Sequence, residues 1–385
     1  MASELQGCEE AATGEMTTKV VLICGIDPSK EAASGVFAYT IGLAKALAKS
    51  EVQVKLVGIG SPGSLQSHGI DFVAVQERPT TSIQFLLSLM KAAPALNLSA
   101  DTVIHAQRPD DLVPFCVFNP ENPKVVTLHG SHADSIRVNK GDVAGQIYDQ
   151  IESYALKRSG RIICVSKSTL SRFRGKYPGL SGRMKLVYAG LDLDELKPAI
   201  REGARAQLGL PASAKVLLYA GRLVEEKRVD VILKAFKQVE DKNEEAMLIL
   251  VGGGKDEDAL KNLTNSLSLK RVKFLPTAAR SRLCLLISAA DAVVIASKQE
   301  GLPTIAMESL ACGTPVVSTP VGIVPEIVRD GVNGFLVSNI ETLPEILEKA
   351  LATSSSLSKN CVEAVRRFSW ESIVKEVMAV YNEAS

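Results

Sequence analysis

Two glutamates, Glu300 and Glu308, stand eight residues apart in "KQEGLPTIAMESLAC", around a Gly-Leu-Pro break that follows the apolar run "DAVVIAS". Carboxylates accept hydrogen bonds from hydroxyls, whereas a helix starting at the break offers unpaired N–H groups and a positive dipole end to an anion. Pro303 suits the first turn of that helix, where its missing N–H is not needed, and Gly313 suits its end. Glu300 is then on the loop at a strand's end. Glu308 falls in the second turn, and helical side chains lean back toward the N-terminus, so its carboxylate can reach a ligand held at the N–H groups near Gly301, Thr304 and Ile305.

Two carboxylates repel a diphosphate unless cations come from elsewhere. In "YAGRLVEEKRVD", Arg222 and Lys227 can supply them, since guanidinium grips phosphate oxygens bidentately and ammonium adds a point charge. Taken alone, that loop reads first as a solvated stretch balanced by Glu225 and Glu226. Cations and N–H groups for a diphosphate, with carboxylates for ribose and sugar hydroxyls, are the mixture a sugar nucleotide needs. The competing reading is a surface loop with two incidental glutamates.

His105 in "VIHAQ" and His129 in "TLHG" close strand-like runs, a place where a histidine can be a hydrogen-bonded structural residue. His129 is set apart because Gly130 follows it and permits close approach of a ligand to the backbone. His68 and His132 fall in polar loops. The triplet in "ILVGGGKDED" fails as a dinucleotide fingerprint, because Glu257 stands where the third glycine belongs; it reads as a tight turn. Asp192 with Asp194, and Asp256 with Asp258, spell DxD but close no strand, so both read as structural and no metal site is expected.

The elements that must position these residues follow from an alternation of short β-branched runs with longer helical stretches, the pattern of βαβ units and parallel sheets. "VVLICGI", a helix capped by Ser34 with Val36, Tyr39, Leu43 and Leu47 near helical spacing, and "VQVKLVGI" make the first unit. "DFVAV", "TVIHA", "KVVTLH", "RIICV" and "KLVY" continue it, and the turn-rich "AGLDLDELKPAI" interrupts it. "KVLLYAG", "AMLILVGGG", "RVKFL", "DAVVIAS", "TPVVS" and "GFLV" then repeat the pattern. Two doubly wound α/β domains are expected, with ligands outside the carboxyl ends of their strands, where the two can face each other across a cleft.

A chain of 385 residues accommodates two such domains. Its 44 basic and 43 acidic residues leave a formal charge of +1, which argues against a nucleic-acid partner. Seven cysteines without a CxxC pair suit a reduced, cytoplasmic protein, and the first residues carry acids and no apolar core, as a disordered extension does and a signal peptide does not. No apolar run approaches the roughly 18 residues of a membrane span. Between Glu152 and Asp192 no acid interrupts Lys157, Arg158, Arg161, Lys167, Arg172, Arg174, Lys176, Arg183 and Lys185. That run is either a solvated face compensated by acids elsewhere or a peripheral contact with anionic membrane through 157–185.

The segment "EGLPTIAMESLACGTPVVSTPVGIVPEIVRDGVNGFLV" resembles the signature of the retaining GT-B glycosyltransferases of family 4, whose Glu-x7-Glu motif matches Glu300 and Glu308. The likeness extends to "LLYAGRLVEEKRVDVILKAF", "LILVGGG", "TLHG" and "FSWESIVKEVMAVYNEA", nearly the whole chain after residue 19. It implies two Rossmann-like domains, at 19–190 on the acceptor side and 201–365 on the nucleotide-sugar side. An extension over 1–18, a linker over 191–200 and a helix over 366–385 crossing back to the first domain complete the division. By position it implies a diphosphate clamp at Arg222 and Lys227, a ribose contact at Glu308, a donor-sugar contact at Glu300, and His129 facing that sugar. Gly35, Gly221, Gly301, Leu302, Pro303 and Thr304 join the implied donor site. Ser34-Gly35 replaces the family's glycine pair, Tyr188-Ala189-Gly190 its Pro-Asn-Gly, and Gln107 its second histidine.

The resemblance implies hexosyl transfer from a UDP- or GDP-linked sugar to a glycan, lipid or small-molecule hydroxyl, with retention and without metal or other cofactor. A sugar-nucleotide epimerase of the same fold, a non-catalytic nucleotide-sugar-binding paralogue and a dinucleotide oxidoreductase stay open. The Glu-x7-Glu pattern favours transfer over the first, the intact site set disfavours the second, and the broken fingerprint disfavours the third.

Overall fold

Every β-branched run expected as a strand forms one. The computed structural model describes residues 18–28, 35–61, 65, 68–78 and 81–384. Apart from Thr18, the expected extension lies outside these residues, and so does Ser34. In the first half the strands are β1 (Lys19–Ile23), β2 (Gln53–Ile59), β3 (Asp71–Gln76), β4 (Val103–Ala106), β5 (Lys124–Leu128), β6 (Arg161–Cys164) and β7 (Met184–Leu186). The second half contributes β8 (Lys215–Ala220), β9 (Ala246–Val251), β10 (Val272–Leu275), β11 (Ala292–Ile295), β12 (Val316–Ser318) and β13 (Gly334–Leu336).

They build two parallel sheets, ordered β3-β2-β1-β4-β5-β6-β7 and β10-β9-β8-β11-β12-β13. Strands β5 and β9 are buried along their whole length, as expected when helices cover both faces of a parallel sheet. In each sheet the order reverses beside the first strand, between β1 and β4 and between β8 and β11. Loops leaving the strand ends there diverge and open a crevice.

Helix Gly35–Lys49 buries Tyr39, Leu43 and Leu47 as its spacing predicts, with Val36 half-buried at its start. In the segment expected as a linker, Asp192 Oδ1 accepts from the N–H groups of Asp194 and Glu195, each at 3.1 Å, so this DxD holds a turn. Helix Trp370–Ala384 crosses back and packs on helix Gly35–Lys49. Its Trp370 lies flat against two glycines, and a Cβ at Gly42 or Gly190 would come within 2.3 Å of the indole. Further along, Tyr381 meets His105 and Glu383 pairs with Arg161 and Lys185. Glu326 ties the halves on the other side, accepting from the Tyr188 hydroxyl at 2.5 Å and the Lys167 N–H at 3.0 Å. Among the described residues no helix is long and apolar enough to cross a membrane.

Candidate active site

Helix Thr304–Ala311 begins one residue later than expected, with Pro303 at its cap, and ends at Cys312 before Gly313, whose φ of +76° is the left-handed turn that glycine makes freely. Ala306, Met307, Leu310 and Ala311 are all buried, so the helix is packed nearly all round. Glu308 is the exception in chemistry though not in burial. It is 8% exposed, and burial raises its carboxyl pKa while Arg280, 3.7 Å away, partly offsets that.

Glu300 sits on the loop beyond β11, as expected. Its Oε1 accepts from Lys227 Nζ at 2.5 Å and from Ser297 Oγ at 2.8 Å. Those contacts span the switch between β8 and β11, and the Lys298 N–H donating to the Glu226 carbonyl at 3.0 Å stitches the same two loops together. The Lys227 and Glu300 side chains are only 15% and 14% exposed, so the pair is largely withdrawn from water. Arg222 stands apart. Its side chain is 67% exposed and bound to Glu226 at 2.5 Å, so the two cations of the expected clamp are not assembled around one point.

The first domain meets this loop at close quarters. A Cβ on Gly301 would lie 1.9 Å from the His129 carbonyl oxygen, and one on Gly35 would lie 3.1 Å from Thr304 Cγ2. Glu300 lines a cavity of about 250 Å³ shared with Gly130, Ser131, Arg172 and Gly322, while Glu308 lines a narrower one beside Tyr39, Arg280, Gly190 and Trp370. The two glutamates thus line neighbouring cavities, joined by the 301–304 segment that rests on the first domain.

His129 is half-buried and its pKa is pushed down to about 3, by burial first and then by His132 and His105. Its Nε2 bonds the Gln107 amide oxygen at 2.9 Å, so Nε2 carries the proton and Nδ1 is left as an acceptor. The ring meets Tyr39 edge-on, with centroids 4.7 Å apart. His105 is fully buried between the Tyr381 hydroxyl at 2.8 Å and the Thr127 hydroxyl at 2.7 Å, a structural residue beneath the site. Gln107 is equally buried, and its amide nitrogen has no partner.

Sequence reasoning missed Arg280, because its partner Glu308 is 28 residues away and no local pattern links them. Gln107 was visible only as a departure; its position two residues past a buried strand histidine was the available signal. The glycine triplet is structural as read: a Cβ on Gly252 would strike the Gly221 carbonyl at 2.0 Å, and one on Gly254 the Leu223 carbonyl at 2.2 Å. The basic run is largely compensated, since Arg161, Lys167, Arg172, Lys176 and Lys185 all pair with carboxylates. Among the described residues, no three His, Cys, Asp or Glu side chains gather as a metal site would require.

Two family descriptions match in succession: Glycosyltransferase Family 4 over residues 33–195 and Glycosyl transferases group 1 over residues 200–368. The D-inositol 3-phosphate glycosyltransferase of Mycolicibacterium smegmatis is 34% identical over 215 residues, covering 52% of this chain and 48% of that enzyme. The chain thus spans about half the length of that relative. Among solved structures, sucrose-phosphate synthase from Thermosynechococcus elongatus superposes with a TM-score of 0.82 at 22% identity, covering 95% of this chain and 98% of that one. HepE of Anabaena, in complex with UDP and glucose, gives 0.76 at 21% identity and covers 95% and 99%. At those identities the likeness speaks for the fold.

Proposed function

The chain belongs to the GT-B glycosyltransferases of family 4, and on that premise we propose that it moves a hexosyl group from a UDP- or GDP-linked sugar to a hydroxyl of a glycan, lipid or small molecule, with retention at the anomeric carbon. The observation that carries this reading is the desolvated Lys227–Glu300 pair at the second switch point, followed at once by Gly301, which abuts the His129 carbonyl before helix Thr304–Ala311 starts.

Both hydrogen bonds to Glu300 fall on Oε1, so Oε2 can accept from a sugar hydroxyl. Lys227 and Arg222 supply positive charge for the diphosphate, Arg222 by swinging off the exposed Glu226, and the unpaired N–H groups at the start of the 304–311 helix add their dipole. Glu308 takes the ribose hydroxyls. A neutral His129 offers an acceptor and not a proton. The leaving diphosphate needs charge stabilisation more than an acid. As its bond to the anomeric carbon breaks, the acceptor oxygen attacks from the same face and its proton passes to the departing phosphate oxygen. That route retains configuration without a glycosyl-enzyme.

The donor is tested by thermal shift with UDP, GDP and ADP sugars. A ligand at a hundred times its Kd adds about 2.7 kcal/mol, and only the cognate base should do so. If Glu300→Ala and Arg222→Ala both left nucleoside diphosphate release from that donor unchanged, the site assignment would be wrong.

A further inference from the structure

A single carboxylate of the second domain is bound to two strand ends of the first. Glu326 Oε1 accepts from the Lys167 N–H at 3.0 Å and Oε2 from the Tyr188 hydroxyl at 2.5 Å, with Lys167 Nζ 3.7 Å from the same Oε2. Lys167 opens helix Lys167–Lys176 just beyond β6, and Tyr188 stands just beyond β7, the strand paired with it. The helix has a cap of its own in Ser166 Oγ, which accepts from the Thr169 N–H at 3.2 Å, so Glu326 takes an N–H that this cap leaves over. A carboxylate there also meets the positive end of the helix dipole, and at 10% exposure the Glu326 side chain is little screened by water. With each oxygen held by a different strand end, the contact fixes the angle between the domains as well as their distance.

Both ends of the contact lead to the candidate active site. In the second domain Glu326 lies on the short helix Val324–Ile327, anchored by its buried Val324 and Ile327. On the approach to that helix Gly322, with a φ of +54°, rests on the donor loop: a Cβ there would come within 2.7 Å of Pro303 Cδ and 2.9 Å of the Gly301 carbonyl oxygen. The Thr319 hydroxyl donates to the Ser297 carbonyl at 2.8 Å, and Ser297 Oγ in turn donates to Glu300. In the first domain β6 pairs with β5, the strand that runs into His129. Ser168, Thr169 and Arg172 of the helix that Glu326 meets line the same cavity as Glu300 and Gly322. Glu326 lines neither cavity of the site, yet it joins the segments that wall this one from both domains.

We propose that Glu326 is a positioning residue for transfer: its carboxylate clasps the two domains at the spacing that brings Glu300 and Gly301 up to His129, and so sets the rate of the chemical step without touching donor or acceptor. The clasp rests on the transferase reading above. Lys227, Arg222 and the start of helix Thr304–Ala311 all belong to the second domain, so a protein without the clasp keeps its hold on the nucleotide. What it loses is the register of the facing wall, and with it the geometry of attack.

The test compares Glu326→Ala, Glu326→Gln and Tyr188→Phe in the full chain by turnover of UDP and GDP sugars, calorimetry with UDP and GDP, and amide exchange of peptides that hold Lys167. Glu326→Ala should lower kcat at least about tenfold, part of the roughly 100-fold that an ångström of misplacement costs, with donor KM and nucleotide affinity within about twofold of the parent. Glu326→Gln should recover most of that loss, because an amide oxygen still accepts from the Lys167 N–H and its NH2 can donate to the Tyr188 oxygen. Tyr188→Phe keeps its ring against Phe368, so it serves where Glu326→Ala fails to fold; its kcat should fall by a smaller factor, again with affinity unchanged. Combined with Glu326→Ala it should cost nothing more. Exchange at Lys167 should be at least about tenfold faster in Glu326→Ala and slow again in Glu326→Gln. Unchanged kcat in Glu326→Ala or Tyr188→Phe, a fall matched by a loss of nucleotide affinity, or a Gln variant as slow as the Ala one would overturn the proposal. A parent protein that turns over none of these sugars would overturn the transferase reading, whereas Lys167 exchange unmoved by Glu326→Ala would overturn the clasp by itself.

Discussion

Both sheets reverse their order at the same step, yet the two switch points present different side chains. Between β8 and β11 lie charges: Lys227 against Glu300, with Arg222 apart from them on exposed Glu226. At the β1/β4 side and the neighbouring end of β5, His129 in its uncharged form stands with fully buried Gln107 and His105, and the charges that follow on that side, Arg108 and Asp110, are paired with each other. One topology thus places a crevice twice, and only the loop residues decide what each crevice can hold. The Lys227 ammonium on one wall meets a diphosphate from that side, while uncharged His129 on the facing wall can orient a sugar without competing for the phosphate.

The comparison breaks most completely if the walls are kept apart. Gly301→Ala sets a Cβ against the His129 carbonyl, where 1.9 Å leaves no room, so the second domain must back away from the first. Misplacement of about an ångström at a reacting centre costs about 100-fold, and turnover by Gly301→Ala should fall at least that far. Circular dichroism should be unchanged, because the clash touches neither core. Turnover within a factor of two of the parent protein would show that the walls need not meet.

Within the charged wall, the two cations should separate. Lys227→Ala strands the Glu300 carboxylate in a desolvated position, and breaking such a pair costs about 3 kcal/mol. Nucleotide affinity should drop about 30-fold with it, since the diphosphate also loses its ammonium. Arg222→Ala removes an exposed pair with Glu226, so unfolding in urea should shift by less than about 1 kcal/mol. Its nucleotide affinity should still fall about tenfold, a charged hydrogen bond being worth about 1.5 kcal/mol. Equal stability losses for the two variants would erase the distinction drawn from their burial.

The fold was legible because its signals are local: β-branched runs for strands, Pro303 and Gly313 for the ends of one helix, loop positions for Arg222, Lys227 and Glu300. Pairings across long separations were not. Arg280 gains its role from a neighbouring helix, and Glu326 binds Tyr188 from 138 residues away. The close approach of Gly301 to the His129 carbonyl was equally out of reach, since the two residues belong to different halves of the chain. Tyr188-Ala189-Gly190 keeps its glycine for a reason invisible in sequence, the indole of Trp370 packed flat upon it.

On the His129 wall a hydrogen bond is tested without a charge. Gln107→Leu deprives His129 Nε2 of its acceptor, a loss of about 1 kcal/mol or more that frees the ring to turn. Turnover should fall about tenfold with UDP or GDP affinity unchanged, the reverse of the Arg222→Ala pattern. Gln107→Glu keeps an acceptor and should recover part of the rate. A fall in nucleotide affinity instead would mean that the wall binds phosphate.

The smallest effect lies beneath that wall, in His105. Burial lowers its pKa to about 3, so the folded protein keeps it neutral while the unfolded chain, near 6.5, takes up a proton as pH falls. Stability is therefore lost on acidification, by about 0.8 kcal/mol between pH 8 and pH 6 from this residue. Asp111 acts in the opposite sense: burial first and then Asp110 raise its carboxyl to about 8, and its contribution declines as pH rises through that range. The His105 share must be read as a difference, by urea unfolding of the protein and of His105→Gln at both pH values. The variant loses the hydrogen bonds to Tyr381 and Thr127 at either pH, but its deficit should shrink by about 0.8 kcal/mol at pH 6 because it has no imidazole to titrate. A deficit identical at both values would mean that His105 titrates normally in the fold and is not sealed from water as its burial implies.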